Sequence, residues 1–170
     1  RGSTPYTNYC YEDGTGLGCP DAANKTYVND GEYALVQNTN PEAGASPAWV
    51  AKTDHTGNTN GRMLFVNASH DITSEFYRRI INIEPDLEVI IDLWMLNVIK
   101  SGKNLKKPDL KFSLEAMDGT PIGAPVNTGE VPENETWNHY TLEINPGNNT
   151  QVQIVLTNNA AGGGGNDLAI

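Results

Sequence analysis

The sequence predicts an all-β fold, an antiparallel β-sandwich of the jelly-roll type. Apolar and polar residues alternate in short stretches, and clusters of Gly, Pro, Asn and Asp separate these stretches. No stretch sustains the 3.6-residue period of an amphipathic helix. About eight or nine short strands without helices are typical of two packed sheets, and the jelly roll is the arrangement that we expect.

The predicted strands follow from the pattern within each segment. In 110–117 every second residue is apolar, and the segments 138–144 and 151–157 repeat this alternation. Turn clusters such as Asn145-Pro146-Gly147 lie between neighbouring strands. In chain order, the predicted strands are 33–38, 48–52, 62–68, 75–83, 88–99, 110–117, 138–144, 151–157 and 168–170.

The long strand predicted at 88–99 departs from simple alternation because it is apolar on both faces. One face carries Val89, Ile91, Leu93 and Met95, and the other carries Ile90, Trp94, Leu96 and Val98. Such a strand is either covered on both faces or presents one face to a ligand. The sequence leaves both interpretations open.

Length and charge limit the possible functions. We predict a single module spanning residues 1–170, which is long enough to bury a core of its own. The net charge of −10 argues against nucleic acid and anionic membrane surfaces as partners, because both bind concentrated Lys and Arg. No apolar run approaches the roughly 18 residues of a membrane span, so we expect no membrane insertion.

The two cysteines, Cys10 and Cys19, are separated by a turn-rich segment that can close a small loop. A metal or redox pair is the alternative, but the spacing is not CxxC and no further cysteine is present to join them. We therefore predict a Cys10–Cys19 disulfide. This bond implies an oxidising compartment and thus an extracellular or cell-surface location.

Three sets of residues, taken in order, resemble the MAM-type adhesion domain and related calcium-binding jelly-roll modules of secreted bacterial proteins. They are Cys10-Tyr11-Glu12-Asp13-Gly14 with Cys19; Trp49, Asp54-His55-Thr56 and the strand after Gly61; and Trp137 followed by 151–156 and 165–170. The resemblance spans nearly the whole chain and implies a galactose-binding-like or MAM-like sandwich. MAM domains carry further cysteines, so a bacterial relative is favoured, and the chain is expected to be a fragment of a longer multidomain surface protein.

This resemblance also implies a structural calcium ion where the chain start, the loop of Asp54 and the last strand converge. Residue by residue it nominates Glu12, Asp13, Asp54 and Asp167, with Asp30 in a nearby turn as an additional candidate. Carboxylates are the hard oxygen ligands that Ca²⁺ prefers. Alternatively, these are ordinary turn residues whose carboxylates bond their own backbone.

Aromatic side chains mark the candidate ligand surface, since the C–H faces of sugars stack on aromatic rings. Trp94, on the second apolar face of 88–99, is the leading candidate, whereas Trp49 and Trp137 are expected to pack in the core. Arg78 and Arg79 are predicted to lie on the strand adjacent to Trp94 and to point to opposite faces. The residues predicted to bind the ligand are Trp94, Tyr77, Arg78, Arg79 and Asn97; an exposed salt bridge is the alternative for the arginines.

Motifs for catalysis are absent from the sequence. The three histidines form no zinc spacing such as HExxH, so His55 is expected to form a structural hydrogen bond. No Ser lies in a GxSxG elbow, and the acidic pair Glu115 and Glu143 falls on solvated strand faces. The lysines at 100, 103, 106 and 107 are interpreted as a solvated loop.

The sequence therefore favours a non-catalytic extracellular adhesion module that binds a glycan or a cell-surface protein, as a monomeric unit of a larger chain. A structural spacer without a ligand and a glycan-cleaving sandwich enzyme are the alternatives. A spacer predicts no exposed aromatic cluster, whereas a binder predicts that Trp94 or Tyr77 is open to solvent. An enzyme of this kind requires a cleft that holds two opposed carboxylates.

Overall fold

The fold is described by a computed structural model for residues 9–11, 27–40, 42–44, 46–58 and 60–170. This part of the chain contains no helix long and apolar enough to cross a membrane. The strands in it are β1 (Cys10–Tyr11), β2 (Glu32–Val36), β3 (Met63–Asn67), β4 (Glu75–Asn82), β5 (Val89–Asn97), β6 (Leu110–Glu115), β7 (Val126–Asn127), β8 (Asn138–Ile144), β9 (Gln151–Asn158) and β10 (Leu168–Ala169).

These strands form two sheets packed face to face. The first sheet has the order β1-β2-β3-β10-β5-β8, and the second has the order β4-β9-β6-β7. From β3 to β10 each connection crosses to the other sheet, except the one between β6 and β7. This winding is that of a jelly roll, which confirms the predicted fold class. The pairing of β1 with β2 is parallel, and the other strand pairs are antiparallel.

The main core lies between the two sheets. In β6 the alternating residues Leu110, Phe112 and Leu114 point inward and are buried, as the sequence predicts. Strands of the facing sheet contribute Val66 and Met95, both fully buried. The other fully or nearly buried members of this cluster are Tyr9, Phe76, Val131, Leu142, Ile144, Val152, Leu156 and Leu168.

A second apolar cluster lies on the outer face of the first sheet. Phe65 of β3 and Leu96 of β5 point outward there but are fully buried, because residues 46–58 pass over them. We call residues 46–58 the covering segment. Its Trp49 ring packs against Phe65 with ring centroids 4.8 Å apart. The strand β5 is thus covered on both faces at its Leu96 end. Trp94, two residues earlier on the same face, remains 38% exposed.

The strand predicted at 48–52 does not form. Only Trp49 pairs with another strand region, through an isolated bridge to Ile99. Val50 N donates to Val98 O and Lys100 N donates to Ala48 O, whereas Thr39 Oγ1 donates to Val50 O and accepts from Lys52 N. The short strands β1 and β7 were not predicted from the sequence.

Candidate ligand-binding surface around Trp94

Trp94 lies on the outer face of the first sheet, beside the edge strand β8. The register of β5 and β8 places Trp94 opposite His139 and Asp92 opposite Thr141. Residues that alternate along one strand share a face with their cross-strand partners, so these four side chains form one patch. The ladder of main-chain hydrogen bonds beneath them holds their Cα positions rigidly.

Aromatic rings stack at this position. The rings of Trp94 and His139 are stacked with centroids 4.9 Å apart, and the ring of His55 stacks on Trp94 at 5.1 Å. Trp137 meets His55 edge to face at 6.1 Å. We call these four residues, Trp94, His55, His139 and Trp137, the aromatic patch. His55 contributes ring contacts here rather than the hydrogen bond expected from the sequence.

The covering segment is joined to the aromatic patch by Trp137. Its indole Nε1 donates a hydrogen bond of 3.1 Å to Thr53 O, two residues before His55. Trp137 also packs partly against the second apolar cluster, as expected of a packing residue. The position of His55 over Trp94 therefore depends on how the covering segment packs on the sheet.

Polar groups flank the rings. Asp92 Oδ1 accepts a hydrogen bond of 2.7 Å from Thr141 Oγ1 and lies 3.1 Å from His139 Nε2. Asp92 and His139 are both about half exposed, so this pair contributes little to stability and mainly orients the imidazole. The second carboxylate oxygen, Oδ2, has no hydrogen-bond partner in the described part of the chain and is open to a ligand hydroxyl.

The other residues predicted to bind a ligand lie elsewhere. Asn97 is fully buried, where its side chain donates to Val131 O and accepts from Ile99 N. Tyr77, Arg78 and Arg79 belong to β4, which pairs with β9 in the second sheet. The predicted adjacency of the two arginines to Trp94 is wrong, because consecutive strands of a jelly roll fall in opposite sheets.

Asp92, Thr141 and His139 were not predicted as site residues. A signal for Asp92 was present, because it is the single charged residue within the otherwise apolar outer row of β5. His139 and Thr141 alternate with inward-facing residues of β8, so their outward orientation was predictable. Their place beside Trp94 follows from the pairing of β5 with β8, which the alternation does not specify.

Of the residues predicted to bind calcium, the three that the structure describes, Asp30, Asp54 and Asp167, are not gathered into one cluster. Within the described residues no group of three or more His, Cys, Asp or Glu side chains is arranged to hold a metal ion. Asp54 lies in a turn where its carboxylate accepts a hydrogen bond of 3.0 Å from Thr56 Oγ1, and Asp30 lies 3.2 Å from His70 Nδ1. Glu12, Asp13 and Cys19 are outside the described residues, so the disulfide of Cys10 with Cys19 stays a prediction.

Asp167 is the unusual member of this set. Its side chain is buried, and Oδ2 accepts a hydrogen bond of 2.9 Å from Trp49 Nε1. Oδ1 is also buried and makes no hydrogen bond of standard geometry among the described residues, although the backbone N–H of Ala68 lies close enough to this carboxyl to lower its pKa. Burial raises the pKa of Asp167 to about 7, the Trp49 N–H opposes this rise, and the charge of nearby Asp30 adds to it. Near pH 7 this carboxyl is therefore about half protonated.

Comparisons with known proteins find solved structures of low sequence identity. No protein-family model and no curated protein matches the sequence. The chain is similar to the solved EclA C-terminal domain, a sugar-binding protein, with 18% identity and a TM-score of 0.38 over 58% of this chain and 64% of that one. It is also similar to the tailspike protein 4 enzymatically active domain of bacteriophage CBA120, with 16% identity and a TM-score of 0.40.

The tailspike alignment covers 64% of this chain but 14% of the tailspike domain. A further structure, described as "CBM4 structure and function", aligns over 93% of each chain with 16% identity and a TM-score of 0.42. At such identities the likeness concerns the sandwich fold alone. The chain spans less than two thirds of the first two proteins.

Proposed function

We propose that this protein is a non-catalytic, extracellular carbohydrate-binding module whose binding surface is the aromatic patch together with Asp92 and Thr141. The observation that supports this proposal is the position of Trp94: a large ring, 38% exposed, held on a rigid ladder beside a carboxylate and a hydroxyl. Sugar rings offer C–H faces to such a ring and hydroxyl groups to such polar atoms. Exposed aromatic side chains are also what distinguishes a binder from a spacer.

The outer row of β5 extends the surface beyond Trp94. Ile90, Asp92 and Trp94 point the same way, and Ile90 is 57% exposed. Alternate residues of an antiparallel strand are about 7 Å apart, so the row from Ile90 to Trp94 measures roughly 14 Å. We therefore favour an oligosaccharide lying along β5 over a single sugar. The ligand class is a glycan, on its own or on a cell-surface protein.

An enzymatic role is less well supported at this surface. Asp92 and Glu143 lie on the same face, diagonal to one another across β5 and β8. Both are exposed on an open sheet, whereas the general acid of a glycosidase is kept protonated by burial. Thr141 and His139 both contact Asp92 Oδ1 and so hold this carboxylate in place.

Trp94→Ala is expected to weaken binding of a glycan ligand at least about tenfold, which corresponds to about 1.4 kcal/mol of lost ring contact. The ligand is first identified by screening the labelled protein on a glycan array, and affinities are then measured by isothermal titration calorimetry. Leu87→Ala is the matched control, because it removes a highly exposed apolar side chain away from the aromatic patch. Wild-type affinity in a folded Trp94→Ala variant would refute the proposed surface.

We also propose that a structural calcium ion binds at Asp167, with Asp30 as neighbour and Glu12, Asp13 and Asp54 as further candidate ligands. The burial of the Asp167 carboxyl supports this assignment, because the N–H groups of Trp49 and Ala68 replace only part of its hydration and a cation would replace more. A cation there would join the beginning and the end of the described fold. It would have no part in the chemistry of ligand binding.

EDTA is expected to lower the melting temperature of the wild-type protein, and added CaCl₂ is expected to restore it, because a ligand that binds only the native state stabilises that state. Differential scanning calorimetry at pH 7.5 measures both shifts. Asp167→Asn should abolish the response to calcium, whereas Asp86→Asn, which removes a carboxylate from an exposed turn, should leave it intact. If EDTA leaves the melting temperature of the wild-type protein unchanged, the calcium proposal is wrong.

The Cys10–Cys19 disulfide and the extracellular location belong to the same proposal. A disulfide near the chain start persists only in an oxidising compartment. The acidic surface, with a net charge of −10, fits a secreted module that stays apart from anionic membranes and nucleic acid. We expect the module to act as a monomer within a larger surface protein.

A further inference from the structure

A groove opens between the two sheets where β2 and β3 face β4. It has a volume of about 640 Å³ and is lined by Tyr33, Leu35, Leu64, Phe76, Tyr77, Arg78, Arg79 and Ile80. We call it the edge groove. Leu35 shares the inner face of its sheet with Tyr33, yet half of its surface is exposed, so the sheets are splayed apart at this edge. The volume lies within the range of small-molecule sites.

A β-bulge decides which arginine faces the edge groove. In the pairing of β4 with β9, Glu75 is opposite Thr157 and Tyr77 is opposite Leu156, so Phe76 is the extra residue. After the bulge, Tyr77 and Arg79 share the inner face with their partners Leu156 and Ile154. Strict alternation from the buried Phe76 would have placed Arg78 there instead.

The charge of Arg78 is already neutralised. Its guanidinium bonds Glu75 at 2.6 Å and Glu115 at 2.7 Å on the outer face of the sheet. Arg79, in contrast, is exposed and has neither an ion pair nor a hydrogen bond among the described residues. Among the described residues no Asp or Glu lines the edge groove, although the whole chain carries a net charge of −10. The edge groove is therefore a local site of unneutralised positive charge.

The remaining walls are apolar. Phe76 forms a buried floor, Leu64 is partly buried, and Leu35 is about half exposed. The two tyrosines, Tyr33 and Tyr77, add ring faces and a hydroxyl each. A hydroxyl-rich sugar would leave many of its groups unbonded against such walls, whereas an apolar chain or ring would be desolvated favourably.

We propose that the edge groove binds a small amphiphilic carboxylate, with its carboxylate on the guanidinium of Arg79 and its apolar body against Leu35, Leu64 and Phe76. The planar guanidinium offers paired N–H donors that match a carboxylate, and the charge of Arg79 has no internal competitor. This site lies between the sheets, apart from the aromatic patch on the outer face, and it does not depend on glycan binding. The carboxylate proposal and the glycan proposal can therefore be refuted independently of one another.

Decanoate, used below its micellar concentration, is the probe. Isothermal titration calorimetry is expected to show binding to the wild-type protein and a loss of about tenfold or more in affinity for Arg79→Gln. Lys111→Gln is the matched control, because it removes a cation from the outer face of the same sheet, and it should bind decanoate like the wild type. Decan-1-ol, which has the same apolar body without the charge, should bind more weakly.

Methyl-observed NMR locates the probe. Decanoate should shift the resonances of Leu35 and Leu64 and leave those around Trp94 unchanged, in the wild type and in Trp94→Ala alike. Equal affinity of Arg79→Gln and wild type, or of decan-1-ol and decanoate, would overturn the proposal. So would binding of galacturonate oligomers in the edge groove without binding of decanoate, since the occupant would then be an acidic saccharide.

Discussion

Without calcium, the protein is expected to lose roughly 4 kcal/mol of stability as the pH rises from about 4 to about 7. Burial raises the pKa of Asp167 to about 7 from an ordinary value of 3.8. Between these two values the native state holds a proton that the unfolded chain has released. The free energy of unfolding therefore falls with rising pH and levels off above pH 7. Urea unfolding in EDTA at pH 4, 5, 6, 7 and 8 measures the fall.

The same series contains its own checks. Hydrogen bonds from Thr73 and Thr120 lower the pKa values of Asp71 and Asp118, whose stabilisation is present above their ordinary pKa and is lost at lower pH. Stability should thus peak near pH 4. Asp167→Asn should flatten the fall between pH 5 and pH 8, and added calcium should reduce it in the wild type. A wild-type stability that rises over this range without calcium would contradict the assignment.

Phe65→Ala is expected to lower the free energy of unfolding by about 3–5 kcal/mol and also to weaken glycan binding. Phe65 is fully buried in the second apolar cluster and packs on Trp49 of the covering segment. Removing this ring leaves a cavity beneath the covering segment, so that the segment no longer holds His55 firmly in its stacked position on Trp94. Chemical denaturation and calorimetric titration with the identified glycan measure the two effects.

Phe112→Ala is the control that separates stability from binding. Phe112 is almost as deeply buried but lies in the main core between the sheets. It should cost a similar amount of stability and leave the affinity of the folded protein unchanged. Equal affinities of the two variants would mean that the covering segment has no influence on the aromatic patch.

The sequence predicted the positions and inward faces of the strands better than it predicted which strands pair with one another. Alternation is local, so Leu110, Phe112 and Leu114 were correctly assigned to an inward face before any pairing was known. Sheet membership is not local. The segments of Trp94 and Arg79 are consecutive strands, and nothing in their residues indicates that the chain crosses to the other sheet between them.

Two local exceptions also escaped the pattern. The segment 48–52 has the composition of a strand, but main-chain hydrogen bonds join it to residues 98–100 only around Trp49, and side chains of Thr39 and Asn40 bond other groups of its backbone. The bulge at Phe76 reverses the faces of the residues after it, because one extra residue shifts a period of two. Both exceptions depend on hydrogen bonds between residues that hydropathy does not distinguish.

The candidate site was predicted in part for the same reason. Trp94 stood out as a bulky ring on a strand that is apolar on both faces, and the structure leaves it partly exposed. The stacking of His55 on that ring depends on a loop that returns over the sheet, which has no periodic signature. Asp92 and Thr141 became neighbours only through the register of β5 with β8.

The position of β10 has a consequence for the biosynthesis of this fold. Its two residues, Leu168 and Ala169, join β3 to β5, so the first sheet stays divided until they have left the ribosome. The bond from Trp49 to Asp167 spans 118 residues and forms equally late. Until then the nascent chain exposes two unpaired strand edges, and a cell that makes this protein must keep them from associating.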